Sequence, residues 1–281
     1  MPQHLISTAE LAARLGEPNL VVFDVRHNLT DPHAGQREYR AGHIPGAFFL
    51  DHEQDLSAAR TGRNGRHPLP ERADFAAVMS SRGVGPDTDV VAYDASGGTF
   101  AAHLWWMMRW LGHVNVRVLD GGWQAWVDAG YSVTQEDTQP AQPGSTAWAN
   151  PGESAIPVED VLANLPTQAF TLVDARAANR YRGEVEPLDP VAGHIPGALN
   201  RPSNENLQPD GFFKRPDVLG QEFDALLAGR RARDIVHQCG SGISACHNLL
   251  AMEIAGLSGS RLYAGSWSEW CADPDRPVAK G

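Results

Sequence analysis

Short runs of β-branched and other apolar residues alternate along the chain with longer stretches whose apolar residues recur at helical spacing. The strand-like runs are residues 19–26, 89–94, 116–121, 170–176, 233–239 and 260–266. The helical stretches are residues 71–84, 99–113, 157–165, 217–230 and 243–257. Alternation of this kind is typical of parallel sheets, whose buried strands are joined by helices. We therefore predict an α/β fold with helices on both faces of each parallel sheet.

The pattern occurs twice, because four segments of the first half recur in the same order in the second. The paired segments are 21–26 with 171–176, 41–47 with 192–198 (AGHIPGA in both), 89–98 with 234–243, and 118–126 with 262–270. Four collinear matches over so long a period indicate two copies of a whole domain rather than a solenoid of small repeats. The pattern thus predicts two tandem domains of the same fold.

The division between the copies follows from composition. The segment around residues 136–154 is rich in Gln, Pro, Gly and Ser and has no sustained period, which is typical of an exposed linker. We predict an N-terminal domain over residues 1–135 and a C-terminal domain over residues 155–281, joined by that linker. Two such domains would pack together and leave a cleft between them.

Charge and composition narrow the range of partners and cellular locations. The 281 residues carry a formal net charge of −11 with a pI near 5.4, and an acidic surface disfavours nucleic acid and anionic membranes as partners. No apolar run approaches the roughly 20 residues needed to cross a bilayer. The first residues also lack the basic start and apolar stretch of a secretory signal. We predict a cytoplasmic protein with small-molecule substrates.

The three cysteines, at positions 239, 246 and 271, are too few and too scattered for a disulfide framework. Their spacing does not match a zinc site, so no metal ligands are predicted. Sparse, unpaired cysteines are typical of a reducing compartment. Each thiol is then either a buried apolar group or a reactive one.

Cys239 stands at the place where a predicted strand turns into a helix. It is followed by Gly240, Ser241 and Gly242, and the helix starts near Ile243. A loop of this kind can point its N–H groups inward, and the helix N-terminus adds its positive dipole, so the loop favours a thiolate or another anion. We predict that Cys239 is a nucleophile.

The first copy has Asp94 where the second has Cys239. An aspartate cannot carry sulfur, and its charge would repel anionic substrates. We therefore predict an inactive N-terminal domain that supports a catalytic C-terminal domain.

Together, the paired AGHIPGA motifs, the Asp-x-Arg strands, the CGSGIS loop and the closing GSWSEW segment resemble the rhodanese family. The resemblance covers nearly the whole chain. It implies two rhodanese-like domains and a sulfurtransferase that moves sulfane sulfur from a small anionic donor to a thiol or cyanide through a persulfide on Cys239. No metal or organic cofactor is implied, and a thioredoxin-like reductant is a candidate partner.

The resemblance does not decide whether the sulfur donor is mercaptopyruvate or thiosulfate. The loop Cys239–Ser244 is similar to that of mercaptopyruvate enzymes, and Arg180 matches an anion-binding arginine of the family. A second arginine usual in mercaptopyruvate enzymes is replaced here by Leu188, with Arg182 or Arg201 as candidate substitutes. Mercaptopyruvate is therefore favoured, and a thiosulfate:cyanide sulfurtransferase of the same mechanism is the alternative.

The resemblance also suggests a proton relay and a set of residues that hold the substrate. His67 and Ser241 match groups that would pass a proton to the departing enolate, with Asp51 or Asp55 as the acidic partner. The predicted catalytic residues are Cys239, Ser241 and His67. The predicted substrate-binding residues are Arg180, Gly240, Gly242, Ile243 and Ser244.

Two other functions compete with sulfur transfer. A cysteine phosphatase needs an arginine six residues beyond its cysteine, and Ala245 stands there. A non-catalytic binding module, as many single rhodanese domains are, would not need the intact Cys239 loop. Both alternatives are therefore disfavoured by the sequence.

Overall fold

The computed structural model describes residues 4–140, 142–145, 148 and 152–281, and its first half is built on a five-stranded parallel sheet. The strands are β1 (Leu5–Ile6), β2 (Leu20–Asp24), β3 (Ala47–Phe49), β4 (Asp89–Tyr93) and β5 (Val116–Leu119), in the order β1-β5-β4-β2-β3. The helices are α1 (Thr8–Arg14), α2 (Ala34–Ala41), α3 (Arg72–Ser81), α4 (Thr99–Leu111) and α5 (Gly122–Asp128).

The second half is built on a four-stranded parallel sheet. Its strands are β6 (Thr171–Asp174), β7 (Leu199–Asn200), β8 (Ile235–Gln238) and β9 (Arg261–Leu262), in the order β7-β6-β8-β9. The helices are α6 (Val158–Thr167), α7 (Ala178–Tyr181), α8 (Pro216–Leu227), α9 (Ile243–Ile254) and α10 (Ser266–Trp270), with short 3₁₀ turns at Ser203–Asn206 and Ala232–Asp234. The predicted fold class, two parallel sheets flanked by helices, is confirmed.

The duplication extends to buried detail. At the end of β2 the guanidinium of Arg26 bonds the carboxylate of Asp24 at 2.5 Å and donates to the carbonyl of Gly42 at 2.7 Å. At the end of β6 Arg176 bonds Asp174 at 2.6 Å and donates to the carbonyl of Gly193 at 2.8 Å. The Asp-x-Arg pair is thus a brace between an interior strand of the sheet and the AGHIPGA loop in both copies.

The two halves share one hydrophobic core, because α4 and α9 pack against each other. The core takes the tryptophans and methionines of α4 together with the apolar face of α9: Trp105, Trp106, Met107, Met108, Leu249, Leu250 and Met252. Polar contacts also cross the junction, including one between the His247 ring and the Gly97 carbonyl at 2.9 Å. This packing fixes the loops after β4 and β8 close to the junction of the halves.

The predicted linker is described only in part, since residues 141, 146–147 and 149–151 lie outside the described residues. Of the rest, the Gly144 N–H donates to the Ser80 carbonyl at 2.7 Å, beside α3. Glu153 forms an ion pair with Arg109 of α4 at 2.9 Å. The described part of this segment therefore runs along the helices of the first half.

Candidate active site

Cys239 follows β8, a strand hydrogen-bonded on both sides, so its backbone lies in the centre of the second sheet. The residue is only 2% exposed, yet it lines a cavity of about 50 Å³ at the junction of the halves. The first half contributes Leu29, Arg66, Thr99 and Phe100, and the second Arg180, Leu188, Cys239, Gly240, Ser241, Ile243 and Ser244. Cys239 therefore forms part of the wall of a small cavity to which both halves contribute.

Backbone bonds hold the Cys239 loop rigidly. The Cys239 N–H donates to the Ser266 hydroxyl at 3.0 Å, and the Cys239 carbonyl accepts from the Trp267 N–H at 3.0 Å. Gly242 stands just before α9 with φ 90°, and a Cβ there would lie 2.5 Å from the Ala264 carbonyl oxygen. Glycine is therefore required at position 242. Gly242 supports the loop but does not line the cavity.

His67 reaches the loop from the first half and lies between a hydroxyl and a carboxylate. Its Nδ1 is 2.8 Å from Oγ of Ser241, and its Nε2 is 3.1 Å from Oε1 of Glu53. The prediction that Asp51 or Asp55 is the acidic neighbour of His67 is therefore wrong, because Glu53 holds that place. The carboxylate of Asp51 accepts from the N–H groups of residues 53 and 54, and that of Asp55 accepts from the N–H of residue 51, so both close their own turn.

The imidazole of His67 is neutral at physiological pH. Burial lowers its pKa to about 3, and the nearby positive charges of Arg60 and Arg66 act in the same direction. Because the Glu53 carboxylate can only accept, the ring carries its proton on Nε2 and leaves Nδ1 to accept from the Ser241 hydroxyl. The three groups form a chain along which a proton can move.

Two guanidinium groups face the loop from opposite halves. Arg180 is held by Glu186 at 2.6 Å, and Arg66 is held by Asp189, which also lies 3.5 Å from Arg180. A Cβ built on Gly240 would lie 2.8 Å from Nη2 of Arg66 and 3.6 Å from Nη2 of Arg180. The loop thus lies beneath a pair of positive charges, only one of which the sequence identified.

The substitutes suggested for the missing arginine at Leu188 are not in the cavity. Arg182 pairs with Glu184 on the surface, and Arg201 is held by Glu222 at 2.5 Å. Leu188 itself lines the cavity wall. Arg66, the residue before His67, supplies the second charge instead, and only the packing of the two halves reveals it.

The other two cysteines are poor nucleophiles. Complete burial raises the pKa of Cys246 well above its usual value, and its Sγ–H donates to the Gly242 carbonyl at 3.3 Å. Burial raises the pKa of Cys271 to about 11. Both thiols are therefore protonated at neutral pH, as expected of packing residues.

Comparison with known proteins identifies the fold. The model of the rhodanese-like domain matches residues 7–129 and 157–273. The chain belongs to the rhodanese family. Among curated proteins it is 49% identical over 279 residues to the "probable 3-mercaptopyruvate sulfurtransferase" of Pseudomonas aeruginosa, covering 99% of this chain and 98% of that one. It is 36% identical to the thiosulfate sulfurtransferase of Bos taurus, covering 99% and 95% of the two chains.

A solved relative has the same architecture. The crystal structure of a 3-mercaptopyruvate sulfotransferase from Escherichia coli superposes with a TM-score of 0.82 at 30% identity, covering 94% of this chain and 99% of that one. The family predicted from the sequence motifs is thus confirmed. Within the described ranges, every helix of this rhodanese is too short or too polar to span a membrane.

Proposed function

We propose that this rhodanese is a sulfurtransferase that takes sulfane sulfur from a small anionic donor onto Cys239, with mercaptopyruvate as the favoured donor. The observation that carries the proposal is one cavity lined by Cys239, two arginines and Ser241, and Ser241 is bonded in turn to His67 and, through it, to Glu53. Each group has a task that this reaction needs. The proposal includes two sets of residues. The catalytic residues are Cys239, Ser241 and His67, and the substrate-binding residues are Arg180, Gly240, Gly242, Ile243 and Ser244.

The first step loads the cysteine. The planar forks of Arg180 and Arg66 hold the donor carboxylate, which places the donor sulfur against Sγ of Cys239. The Cys239 thiolate attacks that sulfur, an S–S bond forms, and the donor C–S bond breaks with its electron pair remaining on carbon. The products are a Cys239 persulfide and the enolate of pyruvate.

The enolate then needs one proton. The proton that the donor sulfur brought passes from the persulfide through the Ser241 hydroxyl to Nδ1 of His67, and Glu53 stabilises the positive charge on the ring; the ring then returns the proton through the same hydroxyl to the enolate carbon. The persulfide is a stronger acid than a thiol and releases the proton that the donor sulfur brought, so the proton count balances. Pyruvate leaves, and the persulfide anion stays in the loop.

Thiosulfate is the second candidate donor, and two observations favour it. Leu188 places an apolar wall where mercaptopyruvate enzymes usually have an arginine, and the two guanidinium groups suit a dianion as well as a carboxylate. Attack on its sulfane sulfur releases sulfite directly. No carbon has to be protonated, so thiosulfate does not need His67.

The second step unloads the sulfur. An acceptor thiolate or cyanide attacks the outer sulfur of the persulfide, and Cys239 leaves as a thiolate ready for the next donor. A thioredoxin-like dithiol is an acceptor of suitable chemistry. The N-terminal domain, with Asp94 in place of the cysteine, supplies His67, Glu53 and Arg66 but carries no sulfur itself.

Mass spectrometry of the intact protein tests the proposal. After incubation with mercaptopyruvate or thiosulfate the chain should gain about 32 Da, one sulfur atom, and a reducing thiol should remove it. Cys239→Ser should abolish the gain, whereas the matched control Cys246→Ser should keep it. An unmodified wild-type chain with both donors would instead favour a binding module.

A further inference from the structure

Three potential metal ligands meet beside the relay. His27, Glu53 and His67 each offer one ligand atom, and the three atoms lie within 4.8 Å of one another. They come from three separate segments, after β2, after β3 and before α3. The fold therefore brings together two imidazoles and a carboxylate that have no sequence motif in common.

His27 has no task in the proposed mechanism, and one of its ring nitrogens points inward. Its Nε2 is buried and has no hydrogen-bond partner among the described residues. The ring packs against those of His52 and Phe100, each with centroids 5.2 Å away. An imidazole nitrogen left without a partner in this way is available to a metal ion.

We propose that His27, Glu53 and His67 bind a divalent cation of the zinc type, and that this ion switches the proton relay off. Two imidazoles and one carboxylate are ligands that zinc commonly takes, and a water completes its tetrahedron. Ligand distances of about 2.0–2.1 Å require the ligand atoms to approach to roughly 3.4 Å of each other. Rotation of the Glu53 carboxylate and small tilts of the two rings achieve this.

A hydrated ion can reach these ligands from solvent. Glu53 forms part of the wall of an open surface groove together with Leu29, Gln54 and Arg60. Its side chain is 25% exposed, and Arg60 donates to both of its oxygens, to Oε1 at 2.7 Å and to Oε2 at 2.5 Å. To bind the ion, Oε1 gives up its bond from Arg60, and the arginine stays on Oε2.

The ion acts on the relay by fixing the tautomer of His67. In the relay Nε2 of His67 carries the proton and Nδ1 accepts from Ser241, whose hydroxyl is 2.8 Å away. An ion takes the lone pair of Nε2, so the single ring proton moves to Nδ1 and Ser241 must accept it. Nδ1 can then no longer take up the proton that Ser241 would pass to it. This inhibition rests on the proposed function, whereas the binding of the ion does not.

Binding is measured first, on the full chain without any sulfur donor. Zinc is titrated by calorimetry, and Co²⁺ is titrated with its visible absorption as the readout. We expect one ion per chain, bound at least about tenfold more weakly by His27→Gln. His33→Gln, an exposed histidine of the same segment, and Cys239→Ser should bind as the wild type does.

Two results would overturn the site. The first is equal binding by His27→Gln and the wild type, with His27→Asn as a second variant if the glutamine does not fold. The second is loss of binding in Cys239→Ser, or a sulfur-to-cobalt charge-transfer band in the near ultraviolet, since either places the ion on the thiol.

Regulation is measured as the rate of persulfide formation at a free zinc concentration fixed by a metal buffer. Zinc should slow loading from mercaptopyruvate at least about tenfold, spare loading from thiosulfate, and have no effect on His27→Gln. Equal inhibition with both donors, or with neither, would overturn the switch. A chain that binds cobalt through His27 but gains sulfur from neither donor would contradict the proposed function and leave the ion site standing.

Discussion

The loops after β4 and β8 are two versions of one structure, and they differ in what fills them. Each follows a central strand, ends in a glycine with φ near 90° (Gly98 at 87° and Gly242 at 90°) and leads into a buried helix. The first begins with Asp94 and the second with Cys239, and the first loop is one residue longer. Features that the two loops share belong to the fold, whereas features found only in the second loop are candidates for a part in the chemistry.

In the first loop the anion is part of the chain. The carboxylate of Asp94, fully buried, accepts four backbone N–H bonds: from Ser96 and Gly98 on Oδ1, at 2.7 and 2.9 Å, and from Phe100 and Ala101 on Oδ2, at 2.7 and 2.9 Å. The loop form and the helix N-terminus therefore favour a negative group. The first copy supplies that group itself, and in the proposed mechanism the thiolate and persulfide of Cys239 take its place in the second.

The neighbours of the two loops differ as much as the first residue does. Ser96 is exposed, whereas the corresponding Ser241 is buried and bonded to His67. Arg66 and Arg180 stand over the second loop. The proposed mechanism uses the whole set of groups around Cys239, and a cysteine alone at position 94 would not provide them.

The largest effect should come from removing the relay that only the second loop has. His67→Ala should lower kcat with mercaptopyruvate about 100-fold, because the enolate then takes its proton from water. Turnover with thiosulfate should change less than about threefold, since sulfite leaves without protonation. Steady-state rates with both donors and cyanide as acceptor measure this.

His33→Ala, at an exposed histidine of the same half, is the control for that change and should leave both rates unaltered. Equal losses with the two donors would mean that His67 holds the loop in shape rather than moving a proton.

The next effect concerns stability and belongs to the first loop. Asp94→Asn keeps the size of the side chain but turns one acceptor oxygen into a donor, so two of the four N–H groups lose their partner. Buried donors left unpaired should lower the free energy of unfolding by about 2–4 kcal/mol. Urea unfolding of the variant and of the exposed control Asp74→Asn measures the difference; a change below about 0.5 kcal/mol would show that the carboxylate does not hold this loop.

Much of this comparison could be predicted from the sequence. The duplication, the α/β class and the correspondence of Asp94 with Cys239 follow from collinear motifs, and the long buried strands follow from their β-branched runs. Three short strands, β1, β3 and β7, fell outside the predicted runs, because two or three residues are too few to show a period. His67 and Ser241 were found because a family motif names them.

Glu53 and Arg66 could not be found in the same way. Glu53 lies between Asp51 and Asp55 in a segment whose apolar residues show neither helical nor strand periodicity. Only the geometry of the turn decides which of the three carboxylates faces His67. Arg66 reaches Gly240, 174 positions away, across the junction of the halves. Such contacts depend on how two domains pack, which local pattern does not specify.

The charge pair over the second loop should have a smaller effect, on binding rather than on chemistry. Arg180→Ala and Arg66→Ala should each raise the KM for mercaptopyruvate about tenfold with little change in kcat, because each removes one fork from the carboxylate. The exposed neighbours Arg182→Ala and Arg63→Ala are matched controls and should keep the wild-type KM. An unaltered KM in Arg66→Ala would assign the carboxylate to Arg180 alone.

The smallest effect is expected where the copies carry Gly122 and Ser266 at corresponding positions. Both residues have a left-handed backbone, with φ 57° and 55°. Serine is strained there by about 1 kcal/mol, but its hydroxyl accepts the Cys239 N–H at 3.0 Å and donates to the Tyr263 carbonyl at 2.9 Å. Each of these two buried hydrogen bonds contributes about 1 kcal/mol, so the strain offsets about half of what the hydroxyl contributes.

Ser266→Gly should therefore lower the free energy of unfolding by about 1 kcal/mol, while kcat/KM falls about threefold because the loop is held less firmly. Gly122→Ser is the reciprocal test in the first copy, where a Cβ would lie 2.4 Å from the Asp94 carbonyl oxygen. It should destabilise the protein by more than about 1 kcal/mol, since the backbone must move. If Ser266→Gly left kcat/KM unchanged, the hydroxyl would serve the fold alone, and the difference between the two positions would have no part in sulfur transfer.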